Sequence, residues 1–345
     1  LPDDSSLDSP RSARRHAAQV TRIGFVPLLD AAPLLVAEAL GLFEAVGLNV
    51  ALSAEPSWAT LRDRIAFGAL EGAHMLSPMP IALAAGLGGV HADITVACGL
   101  GRQGNAITLS PALASAFAQR GPQALRGSTL SVVFPFSSHN YLLRFWLARL
   151  GLDADRDIRL TVVPPPQVAA HLAAGRIDGF CTGAPWGSHA VALGAGRVIM
   201  NTGDIWPGHP EKVLGFDAAW AAANREAAIG ITAATIAAAR WLDEPENRDD
   251  AVRILRSRAF AHLEPETIAK GLGSVGQLSF RDATFPFRSE AEWWRGQMLR
   301  WGHLPAVADS VALLDAWDPD LWRAAAGRIG EPEPLTPPQP TPPLE

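Results

Sequence analysis

Thr21-Arg22-Ile23-Gly24-Phe25-Val26-Pro27 reads as a short apolar strand running into a turn. Asp30 then stands as the expected cap of a helical run over 31–45, with apolar residues at Leu34, Leu35, Ala37, Leu40 and Phe43. Gly47 ends that run, and Leu48-Asn49-Val50-Ala51-Leu52 is the next strand. The same alternation continues. Trp58 begins a helical pattern through Arg62, Ile65 and Phe67. Ala73-His74-Met75-Leu76 is strand-like, Pro78 opens a helix in its first turn, and Ile94 to Cys98 is again a strand. Strand-helix alternation of this kind predicts an α/β fold, a parallel or mixed sheet covered by helices on both faces.

A second β/α unit follows. Gly99 to Asn105 is a Gly-rich polar link. Beyond it, strands are expected at Ala106-Ile107-Thr108-Leu109, Leu130 to Phe134, Arg159 to Val163, Ile177 to Cys181 and Val198 to Met200. From Asp217 onward the pattern is helical, with Glu226 to Leu242 the longest run. The late tryptophans Trp293, Trp294, Trp301, Trp317 and Trp322 fit packing between helices. The division that results is an arm over 1–20, a first lobe over 21–104, and a second lobe over 105–215. A helical part over 216–330 returns to the first lobe, and a tail rich in Pro, Thr and Glu closes the chain over 331–345. Both ends read as disordered.

At 345 residues and 48% hydrophobic content, the chain is long enough for two lobes with sizeable cores. A net charge of −6 argues against a direct nucleic-acid surface, which needs clustered Lys and Arg. No apolar run reaches the roughly 18–20 residues that span a bilayer. The chain opens without Met, which leaves room for a removed segment, and what remains shows no apolar signal core or lipid-accepting Cys near its start, so an export signal is not expected in it. Cys98 and Cys181 lie in apolar strand-like runs and read as buried free thiols.

Signatures of catalysis are scarce. There is no phosphate loop, nucleophile elbow or His-Glu-x-x-His motif. Gly99, Gly101 and Gly104 have dinucleotide-binding spacing, but a strand follows them in place of a helix, so they read as a crossing between lobes. The histidines are scattered singly, and no metal or cofactor is expected. Glu211 and Asp217 are conceivable as a carboxylate pair, with nothing to place them opposite each other. Cations are a different matter, because Lys212 and Lys270 are the only lysines among many arginines. Lys212 follows Pro207-Gly208-His209-Pro210-Glu211 and leads into Val213-Leu214-Gly215-Phe216. An ammonium at the mouth of a strand is a compact, movable charge suited to a small anion. Trp58, Asn105, Ser138, His139, Thr182 and Gly183 also stand at strand ends and helix starts, where β/α folds hold ligands. Singly each is an ordinary cap, turn or core residue. Together they describe a cleft with one cation, several neutral donors and one flat aromatic face.

These residues lie in motifs that resemble a family. The motifs include Trp58-Ala59-Thr60-Leu61-Arg62-Asp63, Gly72-Ala73-His74-Met75-Leu76-Ser77-Pro78, Gly104-Asn105-Ala106-Ile107, Asp178-Gly179-Phe180-Cys181-Thr182-Gly183-Ala184-Pro185-Trp186 and His209-Pro210-Glu211-Lys212-Val213-Leu214-Gly215. The chain is similar to the nitrate- and bicarbonate-binding proteins of ABC transporters and to nitrate/nitrite sensors of the NasS kind. The resemblance runs from about Arg22 to about Phe260. It implies a two-lobed periplasmic-binding-protein fold, a Venus-flytrap clamshell, here with extra C-terminal helices. It implies nitrate or nitrite as ligand, with Lys212 supplying the charge and Trp58, Asn105 and His139 completing the pocket. Ser138, Thr182 and Gly183 are secondary candidates. Bicarbonate-binding relatives carry an acid at the lysine position, where calcium can take part, so Lys212 argues against a calcium site.

Two departures stand out. Asn105 replaces a Gln of the transporter proteins, and Ala184 replaces a Glu they commonly carry. The second, with the absence of an export signal, leans toward a cytoplasmic sensor. Such a sensor holds an RNA-binding ANTAR antiterminator of the NasT kind and releases it on anion binding. The alternative is a periplasmic uptake protein working with an ABC permease, and an enzyme on this fold using Cys181 is the third reading. On this basis Lys212→Ala is expected to abolish nitrate binding while the fold survives.

Overall fold

The computed structural model describes residues 20–273, 278–305 and 311–334. The arm over 1–19 and the end of the tail over 335–345 lie outside the described residues. The described start of the tail is held in place, since Glu331 pairs with Arg240 and Arg281.

The alternation produces two five-stranded sheets. The first contains β1 (Val20–Phe25), β2 (Asn49–Ala54), β3 (Gly72–Leu76), β4 (Ile94–Gly99) and β10 (Lys212–Asp217), in the order β2-β1-β3-β10-β4. The second contains β5 (Asn105–Leu109), β6 (Thr129–Val132), β7 (Arg159–Val162), β8 (Gly179–Gly183) and β9 (Arg197–Asn201), in the order β7-β6-β8-β5-β9. Within each sheet four strands share one direction, three of them adjacent and the fourth at the edge. An antiparallel strand fills the position between them, β10 in the first and β5 in the second. Each of these is the strand that arrives from the other lobe.

This topology corrects the expected boundary of the second lobe at residue 215. Strand β10 belongs to the first sheet, paired with β3 and β4 on its two sides. The physical reason is burial. Lys212 to Phe216 is buried throughout, so a strand there needs backbone partners on both edges. The two crossings run side by side, joined by Leu100 N–H to Lys212 O (2.8 Å), Glu211 N–H to Gly101 O (3.0 Å) and Gln103 N–H to His209 O (2.9 Å).

The helical part over 216–330 is expected to return to the first lobe, and the helix Arg225–Asp243 packs on Ala32–Ala39 and on Pro319–Ile329. The helix Arg288–Arg300 departs from that expectation by reaching the second lobe as well. Trp293 meets Phe145 of the helix Ser138–Arg149, and Tyr141 Oη hydrogen-bonds His303 Nδ1 at 2.8 Å. Trp293 and Trp294 also pack on Trp206 of the second crossing, with ring centroids 4.7 and 5.5 Å away. Among the described residues no helix is long and apolar enough to cross a membrane.

Candidate functional site

The two crossing strands start in the cleft. Lys212 is the first residue of β10, opposite Leu76 at the end of β3; Asn105 is the first residue of β5, opposite Gly183 at the end of β8. The site therefore lies beyond the carboxyl ends of parallel strands, where open α/β sheets hold their ligands. Trp58 comes from the start of the helix Trp58–Ala66, which Ser57 caps by accepting Thr60 N–H at 3.1 Å. Ser138 and His139 come from the start of the helix Ser138–Arg149. Ser137 caps that helix by accepting Asn140 N–H, which leaves the Ser138 hydroxyl for another partner.

That partner is Glu211. Its carboxylate accepts from Ser138 Oγ (3.0 Å), Asn105 Nδ2 and Lys212 Nζ. The second carboxylate on Lys212 is Asp30, with Oδ2 2.8 Å from Nζ, and Asp30 Oδ1 is 2.8 Å from His74 Nε2. Asp30 is thus no helix cap. It sits in a 3-10 turn, fully enclosed, with its carboxylate turned to the lysine. Asp217 does cap a helix, accepting Trp220 N–H at 2.7 Å from the far end of β10, so the buried carboxylates that face each other are Asp30 and Glu211.

Each charge here has a definite cause. Burial pushes Asp30 up, but the Lys212 ammonium and His74 outweigh it and hold the carboxyl well below the usual range. Burial pushes Lys212 down, and the charges of Asp30 and Glu211 more than restore it. For Glu211 burial wins, and its carboxyl is raised despite Lys212. Burial lowers His74, lowers His139 far further, and takes His209 to about 3, so all three are neutral imidazoles at pH 7. The site then holds one ammonium, two carboxyls and neutral donors.

Several polar atoms here have no protein partner: the Trp58 indole N–H is a donor, the neutral His139 ring offers one donor and one acceptor, and Asn105 Oδ1 is an acceptor. Trp58 Nε1, both ring nitrogens of His139 and Asn105 Oδ1 are buried and unsatisfied. The Trp58 ring stands 5.8 Å from Lys212 Nζ and 5.2 Å from His74. An unpaired buried polar atom costs about 1–3 kcal/mol, so a cluster of them in one place marks a position built for a polar ligand. Gly183 lies against the same cluster, since a Cβ there would fall 3.2 Å from Asn105 Oδ1 and 3.6 Å from Asp30 Oδ2. Thr182 does not join it. Alternation along β8 sends its side chain to the other face of the sheet, beside Ala106, where it lines a cavity of about 40 Å³ with Ser188 and Asn201. Cys181 faces the cluster, and burial together with the Glu211 charge pushes its thiol up and keeps it protonated, which argues against a nucleophile.

Asp30, His74 and Glu211 are the site residues that sequence reasoning did not select. His74 carried a signal, a polar ring inside an otherwise apolar strand. Glu211 carried one too, as an acid directly before one of only two lysines.

The fold is that of periplasmic binding proteins. It superposes with a TM-score of 0.84 on the crystal structure of the periplasmic nitrate-binding protein NrtA from Synechocystis PCC 6803, at 29% identity, covering 92% of this chain and 91% of that one. The chain belongs to the NMT1-like family, which matches residues 15–256. It is 31% identical over 371 residues to the nitrate/nitrite binding protein NrtA of a Synechocystis strain, covering 96% of this chain and 82% of that protein. It is also 36% identical over 341 residues to the nitrate import ATP-binding protein NrtC of the same organism, and there it spans 50% of the relative's length.

Proposed function

We propose that this chain binds nitrate or nitrite between its two lobes and serves as the solute-binding component of an ABC importer. The observation that carries the reading is the set of buried, unpartnered donors at Trp58 and His139, gathered beside the Lys212 ammonium. A small planar oxyanion uses such donors around its rim and needs no metal when a cation is already present. Similarity to nitrate/nitrite binding proteins along nearly the whole chain supports the choice of ligand.

A second reading keeps the anion site and changes the output. In it the closed form releases a NasT-kind antiterminator in the cytoplasm. Ala184 favours this reading, because it stands where transporter proteins commonly carry Glu, at a contact between the lobes. Its carbonyl accepts Leu29 N–H at 2.9 Å. A side chain changed at that contact alters what closure presents to a partner.

Thermal unfolding against a panel of anions tests the shared part. Nitrate and nitrite should raise the midpoint, while sulfate, and bicarbonate with calcium, should leave it unmoved. Stabilisation by bicarbonate and calcium alone would refute the assignment. For the output, co-purification with the antiterminator followed by release at millimolar nitrate would select the sensor. A stable complex with a permease would select the importer.

A further inference from the structure

We infer that the Glu211 carboxylate occupies the anion seat as an internal competitor, so that ligand binding displaces it from Lys212 and places a proton on it. The inference rests on the reading of this cleft as a nitrate or nitrite site.

A carboxylate is itself a planar oxyanion, and the partners of Glu211 are the groups that would grip nitrate. Lys212 Nζ, Asn105 Nδ2 and Ser138 Oγ all donate to it. Those three donors come from β10, β5 and the helix Ser138–Arg149, which are the elements the two lobes bring to the cleft. An incoming anion therefore finds these three donors engaged, with Trp58 and His139 left open. It also enters a buried place where one ammonium already faces two carboxylates, and a third negative charge there carries a large desolvation and repulsion cost. Asp30 stays, because one of its oxygens is held by His74, a group the anion would not take over, while the other takes Lys212. Glu211 can yield, since its hydrogen bonds go to the groups the anion would take over, with His209 Nδ1 further off at 3.5 Å.

The groups facing Glu211 determine where a proton can come from. They are Lys212 on its own strand, Asn105 on β5, Cys181 on β8, Ser138 on the helix, His209 on the crossing with Nδ1 3.5 Å away, and Asp30 beyond the ammonium, while His139 faces Lys212 and Asp30. His139 and His209 are neutral and Lys212 is held charged, so none has a proton to release near neutral pH. The proton comes from solvent and forms the O–H bond of a neutral carboxylic acid. The sign follows from linkage. The bound state holds one more proton than the free state in the pH window above the free-state pKa of Glu211. That pKa lies above the ordinary value of 4.5, and affinity falls by up to about tenfold per pH unit as pH rises through the window.

Calorimetric titration with nitrate, between about pH 5.5 and about pH 8.5 and in buffers of differing ionisation enthalpy, reads the proton count directly. The wild-type chain should take up about one proton and bind more weakly as pH rises. Glu211→Gln should bind at least about tenfold more tightly at the alkaline end, with flat pH dependence and no uptake. Zero uptake with flat affinity in the wild-type chain overturns the inference, and this measurement needs no variant to fold. Weaker binding by a folded Glu211→Gln at every pH also overturns it, since Glu211 would then serve to position Lys212. Absence of nitrate heat at any pH overturns the parent reading and this inference together, and is distinguishable from both.

Discussion

Lys212 has two roles, and the second changes what its removal does. It is the cation of the proposed anion seat and also the ammonium that pairs with two buried carboxylates. Lys212→Ala leaves Asp30 and Glu211 enclosed without it. Breaking a buried pair costs about 3–5 kcal/mol, so chemical denaturation should show that loss along with lost nitrate binding. The expectation of an untouched fold gives way for that reason. His139→Leu separates the two effects. Neither ring nitrogen of His139 has a protein partner, so the variant should keep or raise its unfolding midpoint. Its nitrate affinity should drop about tenfold, the worth of one buried hydrogen bond of about 1.4 kcal/mol. A midpoint that falls as affinity holds would make His139 structural. At this scale the sequence was legible where a residue was rare or out of place, as Lys212 was. It was misleading where a residue sat in a commoner role. An Asp just before a helical run has the pattern of a cap, and only the distant meeting with His74 and Lys212 makes Asp30 part of the site.

Two strands, β5 and β10, organise the site by each starting at the crossing and entering the opposite sheet. Local periodicity located both strands, because alternation and flanking turns are short-range signals. It could not show that β10 is inserted between β3 and β4, since that pairing joins segments far apart in sequence. Arg102 stiffens this region. It is buried in the first crossing, bonds Gly208 O in the second at 2.7 Å, and reaches Glu290 on the helix Arg288–Arg300 at 2.6 Å. The end of β8 supplies a test of closure. A Cβ on Gly183 would meet Leu28 Cδ2 at 2.7 Å, across the gap between lobes. Gly183→Ala should therefore cost about 1–3 kcal/mol in closing the lobes and little in folding either one. Calorimetry should show weaker nitrate binding with an unchanged midpoint for the ligand-free protein. Equal loss in both would place the strain inside a lobe.

The molecule as a whole is a clamshell with its lobes drawn together. Besides the Leu29–Ala184 bond, Trp186 Nε1 donates to Pro27 O at 2.9 Å, and the helix Arg288–Arg300 touches both lobes. A ligand that binds this form and not an open one shifts the population toward it. Small-angle scattering should show a smaller radius of gyration when nitrate is added. At a hundredfold excess over Kd the stabilisation should approach about 2.7 kcal/mol. The two-lobed plan was legible in the strand-helix alternation and in the Gly-rich link, and the family resemblance gave it its closing motion. The bridging by the helix Arg288–Arg300 was not, because helical periodicity gives an apolar face without naming what that face meets. The central claim is that nitrate or nitrite sits between the lobes on Lys212, His139 and Trp58. Its most direct test is a calorimetric nitrate titration of the wild-type chain beside His139→Leu. The account predicts saturable one-to-one binding in the first and clearly weaker binding in an equally stable second. Equal affinity in the two, or no saturable heat in the wild-type chain, would contradict it.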